Sequence, residues 1–491
     1  MVLEELLDGV AVREITGDAS RPITGLHYDS RKIQPGDVFI AIRGEAADGH
    51  LFIPQALQRG AAGVVCESPV MAASNGETVW ARVQNSRRAL ASASATFYAH
   101  PGRELNLVGI TGTNGKTTTA FLIDSIFREA GKLSGLFGTV EYRLGDRRLP
   151  APNTTPESLD LQAHLAELRS LGGTHAVLEV SSHALEMDRV YACPFGVAVF
   201  TNLTRDHLDF HGTMEAYFAA KRRLFTGLGT EPPEWAVLNA DDPRSEELAR
   251  CGSRNVLLYG FAGDAGVRPE EPAAPNSGNF RMRTPWGAWE CRSALLGRPN
   301  VYNLLSAAAA ALAAGFSIQD VERGLAALRS VPGRLERIDA GQPFLVLVDY
   351  AHTDDALRKL LETARELTRA GRVITLFGCG GDRDRAKRPL MGEAAGSLSD
   401  LVVLTSDNPR TEDPLAIIAQ ARVGVERAGG RLLVEPDRAA AIHAAVREAR
   451  PGDIVLIAGK GHENYQVIGG EKAPFDDRVV AGEALRSLGY G

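Results

Sequence analysis

The chain has 491 residues, 44% hydrophobic and 23% charged, the balance of a folded globular protein rather than a disordered one. Its net charge of -7 gives no basic footprint, so nucleic acid is not expected as the main partner, although a few local cations and backbone amides suffice to hold a nucleotide. Five scattered cysteines (Cys66, Cys193, Cys251, Cys291, Cys379) form no CxxC pair, which argues against a disulfide framework or zinc ribbon and fits free thiols in a reducing compartment.

The N-terminal stretch MVLEELLDGVAVREITG is acidic and lacks the basic n-region and apolar core of a signal peptide. Residues 1–99 mix short apolar runs, Val38 to Ile42 and Gly63 to Cys66, with polar turns, which suggests a small α/β domain. From Leu105 the pattern becomes strand, glycine loop, helix: an apolar run to Ile110, then TGTNGKTTT, then Leu122, Ile123, Ile126 and Phe127 on one helical face. Apolar strands follow at Ala176 to Val180 and Val197 to Phe200, each ending in a polar cluster. Asp264 to Asn279, rich in Pro, Gly and charge, reads as an exposed loop. The Ala-rich run from Ala307 to Ala314 falls short of the about 20 residues a bilayer span needs and reads as a buried helix closed by Gly315. No membrane insertion is expected, and the protein should be cytoplasmic. Ser330 to Arg334 is the candidate linker into a last domain, where strand-like runs Phe344 to Val348, Val373 to Phe377, Leu401 to Leu404 and Ile454 to Ile457 alternate with helical stretches. That alternation predicts a parallel sheet covered on both faces, with ligands outside the carboxyl ends of its strands.

The segment Gly109 to Thr118 lies between a strand and a helix, the context of a phosphate loop. Its glycines let backbone N–H groups turn toward phosphate oxygens at a helix N-terminus. Lys116 is placed to reach the β- and γ-phosphates, and the Thr117 hydroxyl to bind Mg2+. The spacing departs from GxxxxGK[ST], because residue 110 is Ile rather than Gly. Glu179, in the apolar strand AVLEVSS, would be costly to bury unless paired or bound to a cation, so it suits the same Mg2+. A carboxylate capped by backbone donors is the plain alternative. In TNLTRDHLDFHG, Asp206, His207, Asp209 and His211 suit either a second cation or acid–base chemistry, or simply a helix start capped by Thr204. Lys221, in YFAAKRRLF, reads by itself as a solvated helix lysine.

Taken together, TGTNGKTT, EVSSHAL, TNLTRDHLDFHG, NADD (Asn239 to Asp242), NVYN (Asn300 to Asn303), DYAHT, GCGGDRDRAKRP, DNPR and AGKGHE occur in the order found in the Mur ligase family, which the chain resembles over nearly its whole length. The resemblance implies an α/β fold of three domains: residues 1–99 for a UDP-sugar, a central P-loop ATPase with a mainly parallel sheet at 100–332, and a C-terminal Rossmann-like doubly wound sheet at 333–491 for an amino acid. It is closest to the members that add the third residue to the cell-wall peptide precursor. In that reading ATP is a co-substrate and Mg2+ the cofactor, and Gly112, Thr113, Asn114, Gly115, Lys116, Thr117 and Thr118 hold the phosphates, with Asn300 and Asn303 near adenine. Ser30 and Glu45, Ala46 and Ala47 lie along the uridine, and Asn153, Thr154, Thr155, Ser181 and Arg189 hold the muramoyl dipeptide. Met187 stands where some relatives carry a polar substrate contact. Lys221 matches a lysine that becomes carbamylated, turning a cation into a carboxylate-like metal ligand, and His207 matches a second-metal contact.

Within the family Asp407-Asn408-Pro409-Arg410 goes with meso-diaminopimelate, while lysine-adding relatives carry another tetrapeptide. The physics agrees, since diaminopimelate has a second carboxylate that an arginine fork can hold bidentately. Arg383 is the other matching cation, and Gly459 and Glu463 fall on the amino-acid head. The implied partners are UDP-MurNAc-L-Ala-D-Glu, meso-diaminopimelate and ATP, acting on a monomer. The rivals are a ligase adding lysine or another diamine, a folylpolyglutamate synthetase, and a non-catalytic nucleotide-binding protein. A dehydrogenase is set aside because GCGGDRD is not GxGxxG.

Overall fold

The computed structural model of the chain describes residues 1–44, 47–68, 78–270, 278–368 and 370–491. Glu45 and Ala46 lie outside the described residues, as do residues 271–277 of the loop expected after Asp264. Two compact units are formed: Met1–Arg268 with Arg283–Gly287 and Leu304–Gly324, and Pro269–Met282 with Ala288–Asn303 and Leu325–Gly491.

The first unit contains two sheets. The smaller runs in the order Val12–Thr16, Val79–Val83, Gly63–Cys66, Val38–Ile40, Leu26–His27, parallel except for its first strand. Alternate residues supply its two faces: Val38, Ile40 and Val65 pack with Leu3 and Leu90, whereas Phe39, Val64 and Trp80 pack with Ala56.

The larger sheet runs Asn255–Tyr259, Trp235–Asn239, Phe195–Phe200, Asn106–Thr111, His175–Glu179, Ser134–Phe137, Tyr142–Leu144, Arg147–Leu149. Its first six strands are parallel and its last two form antiparallel pairs. The apolar runs read as strands are strands, with ends shifted by a residue or two. Register sets the site: Glu179 pairs with Ile110 and Phe200 with Thr111, so three neighbouring strands finish side by side at their carboxyl ends. The expected amphipathic helix is Lys116–Glu129, which buries Leu122, Ile123, Ile126 and Phe127. The Ala-rich run ends the helix Arg298–Ala313, and Gly315 at φ +89° turns the chain away.

His175 opens its strand 7% exposed, between the rings of Phe127 (5.0 Å) and Phe316 (5.2 Å). Burial, aided by Lys132, lowers its pKa from 6.5 to about 4. The unfolded chain therefore takes up this proton first, and the stability held by the neutral ring is full above pH 6.5 and lost as pH falls toward 4. Moving from pH 7 to pH 5 should cost about 1–2 kcal/mol through this residue. His175→Phe should remove that share of the loss, as read from denaturation midpoints of both chains at the two pH values.

The second unit is built on a sheet in the order Glu336–Ile338, Leu345–Asp349, Ile454–Ala458, Val373–Phe377, Leu401–Leu404, Leu432–Val434, parallel apart from its first strand. Helices Asp354–Leu367, Lys387–Leu398 and Pro414–Arg427 cover one face, and Arg438–Glu448 and Asp477–Ser487 the other. Such double cover is why the strands read as unbroken apolar runs. All five cysteines are free thiols.

Candidate functional site

In the first unit the loop after Asn106–Thr111 is held in shape by its own glycines and by the neighbouring strand end. Gly112 sits at φ +144°, and a Cβ there would meet the Thr201 hydroxyl at 1.8 Å; Gly115, at φ +92°, caps the following helix. The segment after Phe195–Phe200 fastens the loop: Thr113 N–H donates to Asn202 O (2.8 Å), Asn114 N–H to the Asn202 side chain (3.0 Å), and Thr204 N–H to the Thr113 hydroxyl (3.0 Å). Lys116 folds over it, its Nζ donating to Gly112 O and Thr113 O at 2.9 Å each. Thr117 and Thr118 follow in the first helical turn, 4% and 6% exposed.

Glu179 ends the adjacent strand and is 1% exposed. Its carboxylate accepts from the Thr117 hydroxyl (2.9 Å), the Thr139 N–H (2.8 Å) and the Thr139 hydroxyl (3.2 Å). A backbone donor therefore caps one oxygen, as the plain alternative expects, while the other sits beside the phosphate-loop threonine.

Lys221 overturns the solvated-lysine reading. On the helix Met214–Thr226 it is 1% exposed, with Nζ donating to Gly112 O (2.8 Å) and lying 4.3 Å from the Tyr217 ring centre. Its helix is amphipathic, and position 221 falls on the face carrying Tyr217, Phe218 and Leu224. Burial first, then the nearby Lys116 charge, pull its pKa well below the lysine range, against Asp206.

His207 is not set by a helix capped at Thr204, because Thr204 is spent on the phosphate loop. It is itself the N-cap of Leu208–His211, in the left-handed region at φ +51°. Partial burial lowers it to about 4, Asp206 opposing and His183, Lys116 and Lys221 adding to the effect. Its ring is neutral at pH 7, so its 3.4 Å approach to Asp206 is not an ion pair there. His183 lies 4.7 Å from it and 5.6 Å from His211, ring centre to ring centre. Among the described residues no group of three or more His, Cys, Asp and Glu is arranged as a metal cluster. The oxygen pair of Thr117 and Glu179 is the donor set this end of the site offers.

The residues matched to the dipeptide gather on the other side of Glu179. The Thr154 hydroxyl is 3.1 Å from that of Thr139; the Thr155 hydroxyl donates to Glu179 O (2.7 Å) and accepts from Ser181 N–H (3.1 Å). Asn153 O accepts from the Tyr142 hydroxyl at 2.5 Å. Arg189 donates to Thr155 O (3.3 Å) and to the Met187 sulfur (3.5 Å), so Met187 lies against the guanidinium. Ser30 is 5% exposed and donates to the Gln55 side chain at 2.7 Å, while Ala47, exposed, accepts from Gly44 N–H at 2.9 Å.

In the second unit the polar residues after four parallel strands come together. A Cβ at Gly459 (φ +113°) would lie 2.6 Å from an Asp407 oxygen, so the chain passes Asp407 too closely for any other residue. Asn408 donates to Glu463 (2.9 Å), and the fully buried Lys460 donates to Asn408 and Glu463, both at 3.1 Å. Pro409 is buried, and Arg410, at φ +52°, donates from its guanidinium to Gly381 O at 2.6 Å. A Cβ at Gly380 would lie 3.0 Å from the Arg410 guanidinium and 3.8 Å from the Arg383 side chain, so both arginines flank one glycine; Arg383 is exposed. Beneath them Arg388 pairs with Glu412 (2.8 Å) and, with Asp382 N–H, holds that carboxyl down to about 2. Asn300 and Asn303 belong to this unit too, one helical turn apart: Asn300 donates to Leu296 O (2.8 Å) and Asn303 to Asn300 (3.0 Å).

Sequence reasoning missed Asn202, Thr139, Tyr217 and Lys460. Asn202 lies inside a motif already singled out, but its role needs the strand register. Thr139 follows Ser134–Phe137 with no spacing signal at all, and Lys460 lies inside the motif AGKGHE, where only the fold shows what it holds.

Three family profiles match the chain: the Mur ligase middle domain over residues 110–311, the Mur ligase glutamate ligase domain over 333–461, and the Mur ligase family catalytic domain over 22–98. A protein of Solibacter usitatus named UDP-N-acetylmuramoyl-L-alanyl-D-glutamate--2,6-diaminopimelate ligase is 52% identical over 496 residues, covering 100% of this chain and 99% of its own. A solved structure of a ligase with the same name superposes with a TM-score of 0.72 at 35% identity, covering 100% of both chains. The MurF ligase of Thermotoga maritima in complex with ADP shares the fold, with a TM-score of 0.59 at 19% identity over 95% of this chain and 97% of that one. With the motif order, the phosphate loop and a full-length relative at 52% identity all in agreement, the chain belongs to the Mur ligase family.

Proposed function

We propose that the protein is an ATP-dependent amide ligase that joins meso-diaminopimelate to UDP-N-acetylmuramoyl-L-alanyl-D-glutamate, giving the UDP-linked tripeptide, ADP and phosphate. The observation that carries the choice of amino acid is the strand-end knot of the second unit. Glu463, fixed by Asn408 and Lys460, can accept from an ammonium, and Arg410 beside Gly380 and Gly381 can take a carboxylate. In this reading residues 1–99 hold the UDP-sugar, 100–332 the ATP and 333–491 the amino acid, with Glu45 and Ala46 beside Ala47 along the uridine and Asn300 and Asn303 near adenine.

The γ-phosphoryl group passes to the free carboxylate of the dipeptide: the bond to the β-phosphate oxygen breaks and an acyl phosphate forms. Lys116 leaves the loop carbonyls for the phosphates and offsets the charge moved in that transfer. Thr155, Ser181 and Arg189 hold the dipeptide beside Glu179. The diaminopimelate amine then attacks the acyl carbon, phosphate leaves, and the amine proton is lost to solvent or phosphate. Thr117 and Glu179 fit Mg2+, being hard oxygen donors 2.9 Å apart beside the phosphate loop, with phosphates and waters left to complete six ligands. Bound there, the cation would neutralise phosphate charge. As a neutral nitrogen donor His207 fits Mg2+ less well, and as an ammonium Lys221 does not fit; as a carbamate it does.

The buried, weakly basic Lys221 amine is suited to add CO2: its nitrogen lone pair forms the N–C bond, one proton is released to solvent, and the carbamate anion lies beside Lys116. Exposure to 13C-bicarbonate should give a protein-bound carbamate resonance that Lys221→Ala lacks; an identical resonance in both chains contradicts the assignment.

Among the described residues no helix is long and apolar enough to cross a membrane. With free thiols throughout, we place the protein in the cytoplasm. Incubation with ATP and both substrates should yield the tripeptide mass with one ADP per amide formed. ADP without amide would reduce the protein to an ATPase.

A further inference from the structure

We propose that Thr139 is a positioning residue that couples occupancy of the dipeptide loop to the cation and nucleotide end of the site through a one-directional chain of hydroxyl protons. The inference rests on the function proposed above and goes beyond it.

Thr139 lies half-buried in the turn after Ser134–Phe137 and makes three polar contacts. Its N–H donates to Glu179 Oε1 (2.8 Å), its Oγ1 is 3.2 Å from Glu179 Oε2, and the same Oγ1 is 3.1 Å from Thr154 Oγ1. The Thr117 hydroxyl reaches Glu179 Oε2 from the other side at 2.9 Å. Proton counting fixes the direction of every bond. An ionised carboxylate only accepts, so Thr139 and Thr117 each spend their single hydroxyl proton on Glu179. Thr139 can then meet Thr154 only as an acceptor, and Thr154 must be the donor. The order is Thr154 to Thr139 to Glu179, with Thr117 pointing in from the phosphate loop.

Two consequences follow from that order. Thr154, its proton committed, offers a ligand only lone pairs; it accepts from an amide N–H of the dipeptide and is a poor partner for a carboxylate. Thr117, its proton committed to Glu179, can meet a hard cation only through its oxygen lone pairs, the kind of donor such a cation takes. Hydrogen bonds in such a chain polarise one another in a low-dielectric site, so a dipeptide that orders Thr154 strengthens the hold on Glu179. Sterics keep the parts together: a Cβ at Gly138 would lie 2.2 Å from Glu179 Oε1, and Thr155 grips the backbone of the same residue at 2.7 Å. The turn and the dipeptide loop are therefore both fastened to Glu179.

The test is calorimetric titration of Mg2+·ADP into the full chain, with and without the UDP-linked dipeptide. In the wild-type chain the dipeptide should tighten Mg2+·ADP about 10-fold, and Mg2+·ADP should tighten the dipeptide by the same factor. Thr139→Val keeps the shape and the N–H contact but lacks the hydroxyl, and should bring the ratio to within about twofold of unity. Thr139→Ser, which restores the hydroxyl, should return most of the coupling. The inference is overturned if Thr139→Val keeps the wild-type ratio, if Thr139→Ser loses it as fully as Val, or if the wild-type chain shows no coupling. Wild-type turnover measured alongside keeps the two failures apart. Turnover with an unchanged ratio in Thr139→Val removes the coupling alone, whereas absence of both turnover and dipeptide binding removes the functional reading with it.

Discussion

Glu179→Gln is expected to lower kcat/KM for phosphate release by about 10²–10³-fold, the usual cost of removing one preorganised charge from a phosphoryl-transfer site. The reason is specific to the donors around it. Both carboxylate oxygens accept, one from the Thr139 N–H and the other from two hydroxyls, and an amide must turn its NH2 toward one of those groups. One orientation sets the NH2 against the Thr139 N–H, and the other forces the Thr117 and Thr139 hydroxyls to reverse and accept, at a residue 1% exposed; in both the charge available to a cation is gone. The fall should be mainly in kcat, because the strand and the phosphate loop beside it keep their backbone pairing. Steady-state kinetics with a circular dichroism control tests this, and activity within about threefold of the wild-type chain would remove Glu179 from the mechanism.

Arg410→Ala should cost a similar factor by a different route, with kcat/KM for diaminopimelate falling about 10²–10³-fold. The guanidinium is held in place by Gly381 O, and its backbone by pairing of its N–H with Val467 O at 3.0 Å, so the protein's own contacts fix the fork. Losing it strands one ligand carboxylate. Alanine carries the same Cβ at φ +52° as the arginine it replaces, so the loss reads out the side chain, and Arg410→Lys separates its charge from its fork. Lysine keeps the charge but cannot pair bidentately, and should recover only part of the loss. The discrimination between diaminopimelate and lysine should narrow in both variants, since lysine never uses the fork. Unchanged discrimination in Arg410→Ala would place specificity elsewhere.

Much of this was legible in the residues, for reasons that differ from place to place. The parallel strands read clearly because cover on both faces leaves unbroken apolar runs such as LVVL and IVLIA. The phosphate loop was visible despite Ile110, because that residue is the strand's own buried end and the turn needs glycine only at 112 and 115, where φ is positive. Lys221 was misread from composition alone, because one helix supplies both a buried and a solvated face and only packing says which side a lysine takes. Thr139 left no local trace, because its partner Glu179 lies 40 residues away and strand register brings them close; Lys460 stands inside AGKGHE, but its partner Asn408 lies 52 residues away, so the motif alone does not show its role. Arg383 was matched with Arg410, and the structure sets both beside Gly380 while leaving Arg383 exposed.

The most direct test of the central claim is ATP-dependent phosphate release by the purified chain with UDP-N-acetylmuramoyl-L-alanyl-D-glutamate, comparing meso-diaminopimelate with L-lysine at equal concentration. The account predicts strong release with diaminopimelate, little with lysine, and loss of the difference in Arg410→Ala. Strong release with lysine instead would keep the ligase and contradict the reading of Asp407 to Arg410, and no release with either amino acid would contradict the proposed reaction itself.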